Sequence, residues 1–199
     1  FLLLGGGQLL FDLSIELMQK GYAIEVVTSL RHATSKVKIG QREILLKEAL
    51  EESRISYREA ANINSDAFID EFVTDGTLGI SIGAEWIFKK KFIGSFAGRL
   101  VNLHGSRLPK NRGGGGFSWL ILRGERHGGS SLHIVDVGID TGEIVECREY
   151  FFPDWCRKPI DYQQIAYKEN LTLLKGFIRG IEKEHEFEIT AKEDHLSTY

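Results

Sequence analysis

A short apolar run, a glycine turn and a helical stripe of leucines open this chain, and together they narrow its fold more than any other feature. Phe1–Leu4 is long enough for a buried strand and too short for a signal core or a membrane span. It reads as a first strand whose start is clipped, followed by a turn at Gly5-Gly6-Gly7. Leu9, Leu10, Leu13 and Leu17 recur at helical spacing until Lys20-Gly21, and Ala23–Thr28 is the next strand. Strand, helix, strand implies a right-handed crossover and a parallel sheet. Further on, Arg42–Glu52 reads as a helix with Ile44, Leu45 and Ala49 on its apolar face. Ser65 reads as the N-cap of a helix carrying Phe68, Ile69, Phe72 and Val73. Leu78–Gly83 and Leu100–His104 are buried-strand runs, and a helix follows around Phe117–Leu122. Ser131–Val137 and Ile144–Phe151 are joined closely enough to pair as an antiparallel hairpin. Ile165, Leu171, Leu174, Ile178 and Ile181 mark a long C-terminal helix. The expected fold class is α/β, a mainly parallel twisted sheet flanked by helices, with an antiparallel C-terminal hairpin.

Composition excludes more than it identifies. The 199 residues suffice for one domain or a domain and a half with a real core. A formal charge of −3 argues against a nucleic-acid surface. Two cysteines, Cys147 and Cys156, make no disulfide framework, and no Cys/His spacing suggests a metal site. A reducing, cytoplasmic setting with no membrane association is the expectation.

The chemistry concentrates between Arg99 and Ile144. Asn102 and His104 stand two residues apart on one strand, so both side chains project from the same face. Pro109 and a glycine-rich loop follow, and a later strand runs into Asp140, flanked by Gly138 and Gly142. An amide, an imidazole and a carboxylate at strand ends can stabilise an oxyanion and move protons, which is the equipment of acyl-group transfer. The Gly5-Gly6-Gly7 turn can either aim N–H groups at a phosphate or simply turn the chain. It does not complete a dinucleotide fingerprint: Leu10 takes the third glycine position, and the second strand ends in Val-Val-Thr. Arg31-His32, just after the second strand, either faces an acceptor or forms an exposed polar turn, and the turn is the favoured reading.

Two motifs carry a family resemblance. Asn102-Leu-His104-Gly-Ser106-Arg-Leu108-Pro109 and Asp136-Val-Gly138-Ile-Asp140-Thr141-Gly142 stand in the order and spacing of the folate-dependent formyltransferases. The segment Ala97-Gly-Arg-Leu-Val-Asn102 resembles the family as well, and the likeness is strong from Leu78 to Ile144 and weaker at the N-terminus. It implies a Rossmann-like formyltransferase fold over residues 1–185, with 186–199 as the start of a C-terminal extension. It also implies transfer of a formyl group from N10-formyltetrahydrofolate, a cosubstrate, to an amine, with no metal. Asn102 and a protonated His104 would hold the oxyanion, and Asp140 would raise the pKa of His104 and relay the proton. By the same resemblance the pterin lies against the backbone of Trp86-Ile87-Phe88 and Val137-Gly138-Ile139, although Trp86 and Phe88 equally suit core packing. Gly6, Gly7, Ser106, Arg112 and Gly113 fall beside the acceptor. The run Gly113–Gly116 with Phe117-Ser-Trp119 departs from the family pattern of one glycine and small residues.

Three acceptors compete. Methionyl-tRNA calls for a basic surface and a further domain. Glycinamide ribonucleotide suits a chain of this size, but its enzymes place Ser and Asn in the first loop, where this chain has Gly5-Gly-Gly-Gln-Leu-Leu. The amino group of a nucleotide-linked amino sugar is the favoured acceptor, with a homodimer as the expected assembly. A catalytically inactive folate- or nucleotide-binding module is the alternative from another class; it would not need Asn102, His104 and Asp140 together.

Overall fold

The computed structural model describes residues 1–190 and Thr198. The chain divides into two compact units, Phe1–Asn102 and the residues from Leu103 onward.

In the first unit, β1 (Leu2–Gly5) leads into α1 (Gln8–Gln19) and β2 (Glu25–Thr28). Then come α2 (Leu30–Ala33), β3 (Lys36–Ile39), β4 (Arg42–Leu45), α3 (Leu46–Glu52), β5 (Tyr57–Glu59) and α4 (Asp66–Phe72). The unit closes with β6 (Gly79–Ile82), α5 (Lys90–Ser95) and β7 (Leu100–His104), whose last two residues belong to the second unit. The strand order is β5-β2-β1-β6-β7. β1 is paired in parallel on both edges, Leu3 opposite Val26 of β2 and opposite Ile80 of β6. That central place explains the unbroken Leu2-Leu3-Leu4 run: both faces are covered, so no position can be polar, and all three are buried. The chain order reverses between β1 and β6, and in open α/β sheets ligands bind at the strand C-termini beside such a switch point.

The helix of the opening motif forms as its spacing dictates, with Leu10, Leu13 and Leu17 buried. Gly5 could be no other residue, because a Cβ there would lie 2.1 Å from the carbonyl oxygen of Ile82. Ser65 caps α4 as expected, its Oγ accepting the N–H of Phe68 at 3.3 Å. The expected helix over Arg42–Glu52 is corrected in its first half. Residues 42–45 form β4, antiparallel to β3, with Val37 opposite Ile44 and Lys36 bridged to Glu43 at 3.0 Å. Lys36-Val-Lys-Ile alternates with the period of a strand, and a partner strand on its heels outweighs weak helical spacing. Gln8 of α1 holds this hairpin, accepting the Lys38 N–H at 2.6 Å and donating to the Lys38 carbonyl at 3.1 Å.

The second unit contains α6 (Gly116–Leu122), β8 (His127–Ile134), β9 (Ile144–Phe151) and the 24-residue α7 (Pro159–Glu182). β8 and β9 form the expected antiparallel hairpin, with a register shift between Leu132 and His133. The first strand of this pair begins earlier and ends earlier than the sequence suggests, since Val135–Val137 belong to the loop. Asp136 turns the chain there: its Oδ1 accepts the Gly138 N–H at 3.1 Å and the Thr141 hydroxyl at 2.5 Å. Leu120, Tyr150, Phe152, Cys156, Tyr162 and Ala166 make one buried cluster, with the Phe152 and Tyr162 rings 4.1 Å apart. Residues 186–190 carry no named helix or strand, and the rest of the expected C-terminal extension lies outside the described residues apart from Thr198. Among the described residues no helix is long and apolar enough to cross a membrane.

Candidate active site

His104 is the last residue of β7, and everything that grips its ring comes from the second unit. Its Nδ1 lies 3.3 Å from Oδ2 of Asp140. Its Nε2 donates to the carbonyl of Asn111 at 2.8 Å. Asn102 precedes it by two residues on the same strand, half-buried and on the same face.

Asp140 sits in the loop between β8 and β9 at φ 51, a left-handed conformation that non-glycine residues enter at a cost. Three groups converge on its carboxylate. The Gly113 N–H donates to Oδ2 at 2.9 Å, His104 approaches the same oxygen, and His133 Nε2 lies 3.4 Å from Oδ1. Gly142 lets the loop close, because a Cβ there would lie 1.4 Å from the Ile134 carbonyl oxygen.

Burial disfavours the charged form of Asp140, but the hydrogen bond from His133, the His104 ring and the Gly113 N–H outweigh it. The carboxyl is left below the ordinary carboxylate range. For His104 the balance falls the other way, which corrects the expectation of a raised value. Burial pushes its pKa down, and the opposing pull of Asp140 and of the Asn111 carbonyl does not restore it; His133 pushes it down further. Asp140 thus acts on His104 with the expected sign, and desolvation wins.

Two residues absent from the sequence reading complete this cluster. His133 is 2% exposed, its Nδ1 lying 2.9 Å from the Ile134 carbonyl oxygen and its Nε2 3.4 Å from Oδ1 of Asp140. Ser131 accepts the Leu108 N–H at 3.0 Å and donates to the Ser106 carbonyl at 2.9 Å, stitching the loop after β7 to β8. The signal was present: Ser131 and His133 stand two apart on a strand, as Asn102 and His104 do.

The expected acceptor residues divide between the units. Ser106 donates to the carbonyls of Lys110 at 3.1 Å and Asn111 at 2.9 Å, so its hydroxyl shapes the loop. Arg112 is buried, and Gly113 serves Asp140. In the first unit, Gly6 and Gly7 lie between β1 and α1, and Gly6 packs directly against His32. His32 is therefore more than a polar turn: burial and the neighbouring Arg31 charge, opposed by Glu85, hold its pKa down. Arg31 is exposed as expected and pairs with Glu85 at 2.7 Å.

The expected pterin segments are likewise found in separate units. Phe88 stacks on Phe92, with centroids 5.4 Å apart, which favours its packing role. Ile87 is 69% exposed, and Asn64 clasps the segment by donating to the Ile87 carbonyl at 3.1 Å and accepting the Lys89 N–H at 2.8 Å. Trp86 is half-buried. Val137 and Ile139 are exposed on either side of Gly138.

In the second unit a strand end gathers two imidazoles around one carboxylate, groups that can move protons. The sequence matches the formyl transferase family over residues 2–150, and the chain belongs to that family. Over 87 residues it is 30% identical to the methionyl-tRNA formyltransferase of Finegoldia magna, a match covering 42% of this chain and 27% of that protein. The matched part thus spans about a quarter of that relative's length. The N-formyltransferase of Helicobacter canadensis, solved in complex with folinic acid and dTDP-3-aminofucose, superposes with a TM-score of 0.79 at 20% identity, covering 100% of this chain and 69% of that one. Glycinamide ribonucleotide transformylase 1 of Symbiobacterium toebii gives a TM-score of 0.72 at 15% identity, covering 96% and 92%. At these identities the structural likeness is one of fold.

Proposed function

We propose that this protein transfers a formyl group from N10-formyltetrahydrofolate to the amine of a nucleotide-linked amino sugar. The observation that carries the reading is His104 held against Asp140, with Asn102 beside it on the same strand. The acceptor amine attacks the formyl carbon, forming a C–N bond and an oxyanion to which the Asn102 amide donates. His104, neutral because its pKa is lowered, takes the amine proton at Nδ1, where the Asp140 carboxylate stabilises the imidazolium. The intermediate then collapses, the bond from the formyl carbon to N10 breaks, and His104 returns the proton to N10 of tetrahydrofolate. No side chain forms a covalent intermediate. The exposed backbone around Gly138 suits recognition of a flat pterin edge by N–H and carbonyl groups, leaving Val137 and Ile139 free of that task. In the first unit, the Gly6-Gly7 turn before α1, with Gly6 against His32, suits a phosphate group.

The amino-sugar acceptor is supported by the likeness to the Helicobacter canadensis protein and by the absence of Ser and Asn from the Gly5–Gly7 loop. The sequence match to the Finegoldia magna protein favours methionyl-tRNA as the second reading. One assay decides between them: N10-formyltetrahydrofolate with a panel of nucleotide-linked amino sugars, glycinamide ribonucleotide and methionyl-tRNA. Turnover with an amino sugar that is lost in His104→Ala supports the proposal. Turnover with methionyl-tRNA alone replaces the acceptor, and folate binding without any turnover replaces the enzyme with a binding module.

A further inference from the structure

Asn111 lies in the loop after β7 at φ 54, a left-handed conformation that Asn enters more readily than most side-chain-bearing residues. Its backbone is fixed from several directions. The carbonyl oxygen accepts His104 Nε2–H at 2.8 Å and the Ser106 hydroxyl at 2.9 Å. The N–H donates to the Thr198 hydroxyl at 2.8 Å. The side-chain oxygen accepts Nη1 of Arg123 at 3.0 Å, and the Arg123 guanidinium lies 5.8 Å from the centroid of the Trp119 ring.

A neutral imidazole has one donor nitrogen and one acceptor nitrogen, and a carbonyl can only accept. With Nε2 committed to the Asn111 carbonyl, the proton of the resting ring belongs on Nε2 and the lone pair on Nδ1. Nδ1 is the nitrogen that faces Asp140, so it is the one available to take a proton. Both ring nitrogens face an acceptor, and the 2.8 Å contact of Nε2 with the carbonyl is closer than the 3.3 Å contact of Nδ1 with Asp140, so the proton goes to Nε2 and the Nδ1 lone pair gains its partner when the ring is protonated.

We propose that Asn111 is a positioning residue for His104, fixing its Nε2–H tautomer through the backbone carbonyl, and that Arg123 holds Asn111 in the conformation that aims it. The side chain of Arg123 on the surface thereby sets the chemistry of a ring it does not touch. The proposal rests on the reading of His104 as proton carrier. The titratable groups that act on the ring are Asp140 from the loop after β8 and His133 from β8 itself.

The test uses the full chain with ¹⁵N-labelled histidine, His104 being assigned by its disappearance in His104→Ala. The wild-type neutral ring is expected as the Nε2–H tautomer. In Arg123→Ala, and in Asn111→Gly, which keeps the left-handed backbone, the tautomers mix. The His104 titration midpoint falls, because an acceptor that favours the protonated ring has loosened. The kcat for formyl transfer falls about tenfold, part of the roughly 10²–10⁴ that general acid–base catalysis supplies, with KM for the folate unchanged and Arg123→Lys recovering most of the loss. An Nδ1–H tautomer in the wild type overturns the proposal. So does Arg123→Ala with the wild-type tautomer and midpoint, whatever its stability. Full activity in His104→Ala removes the catalytic reading instead, and the tautomer then decides the positioning claim alone.

Discussion

Nδ1 of His104 stands 3.3 Å from Oδ2 of Asp140, and the two groups are shifted in the same direction for opposite reasons. Burial drives the imidazole down against the pull of the carboxylate. Hydrogen bonds and nearby imidazoles drive the carboxyl down against its own burial. The pair at rest is a neutral ring beside an ionised carboxylate, a base ready to be charged.

The pH dependence follows with a definite sign. In the proposed reaction His104 accepts the amine proton as a neutral ring, and its pKa lies below the ordinary 6.5. The acidic limb of kcat/KM is expected with its midpoint below pH 6.5, and a midpoint above that value would remove His104 as the resting base. Stability has the same direction. The contribution of His104 is intact above about pH 6.5 and is lost as pH falls through the lower folded value, since the unfolded chain takes the proton first. Asp140 adds a second loss, beginning near its ordinary 3.8 and completed below its folded value. Urea unfolding at a series of pH values measures both.

Removing one oxyanion donor should be felt in kcat more than in KM. Asn102→Ala is expected to lower kcat by on the order of 10²–10³, with folate binding within a few-fold of wild type. Steady-state kinetics and a direct folate titration separate the two quantities. A loss confined to KM would make Asn102 a binding group only.

The loop that carries Asp140 should tolerate no side chain at Gly142. A Cβ would overlap the Ile134 carbonyl oxygen, which belongs to backbone and cannot swing aside. Gly142→Ala is expected to cost about 1–3 kcal/mol of stability and to displace Asp140, removing activity in protein that still folds. Thermal unfolding and the transfer assay, run on the same preparation, check this. Wild-type activity would show that the loop can close another way.

How much of this was visible beforehand depended on the range of the interactions. The strands Leu100–His104 and Ile144–Phe151 form over the bounds expected of them, the first as a mostly buried run and the second as the partner of β8. Arg42–Leu45 misled because a four-residue segment has too few positions to separate helix from strand, and its partner β3 decided the matter. Motif spacing singles out Asn102, His104 and Asp140, and of these the structure sets His104 against Asp140, with Asn102 on the same strand. His133 escaped as a buried residue on a strand already credited to the core. The lowered His104 pKa could not be read at all, since desolvation depends on every element packed around the ring.

His133 offers a prediction that runs opposite to that for Arg123. The His133 ring pushes the His104 pKa down and, through its hydrogen bond, holds Asp140 down as well. In His133→Leu both influences vanish while a buried side chain of similar bulk remains. The His104 midpoint should rise, moving the acidic limb of kcat/KM to higher pH, whereas Arg123→Ala moves it lower. Losing the one hydrogen bond that the neutral ring can donate, to Asp140 or to the Ile134 carbonyl, should cost about 1–3 kcal/mol. Histidine titration by NMR, with the pH–rate profile of the same variant, reads both shifts. A downward move in His133→Leu would mean that the second imidazole supports His104 rather than opposing it, and the division of labour around Asp140 would have to be redrawn.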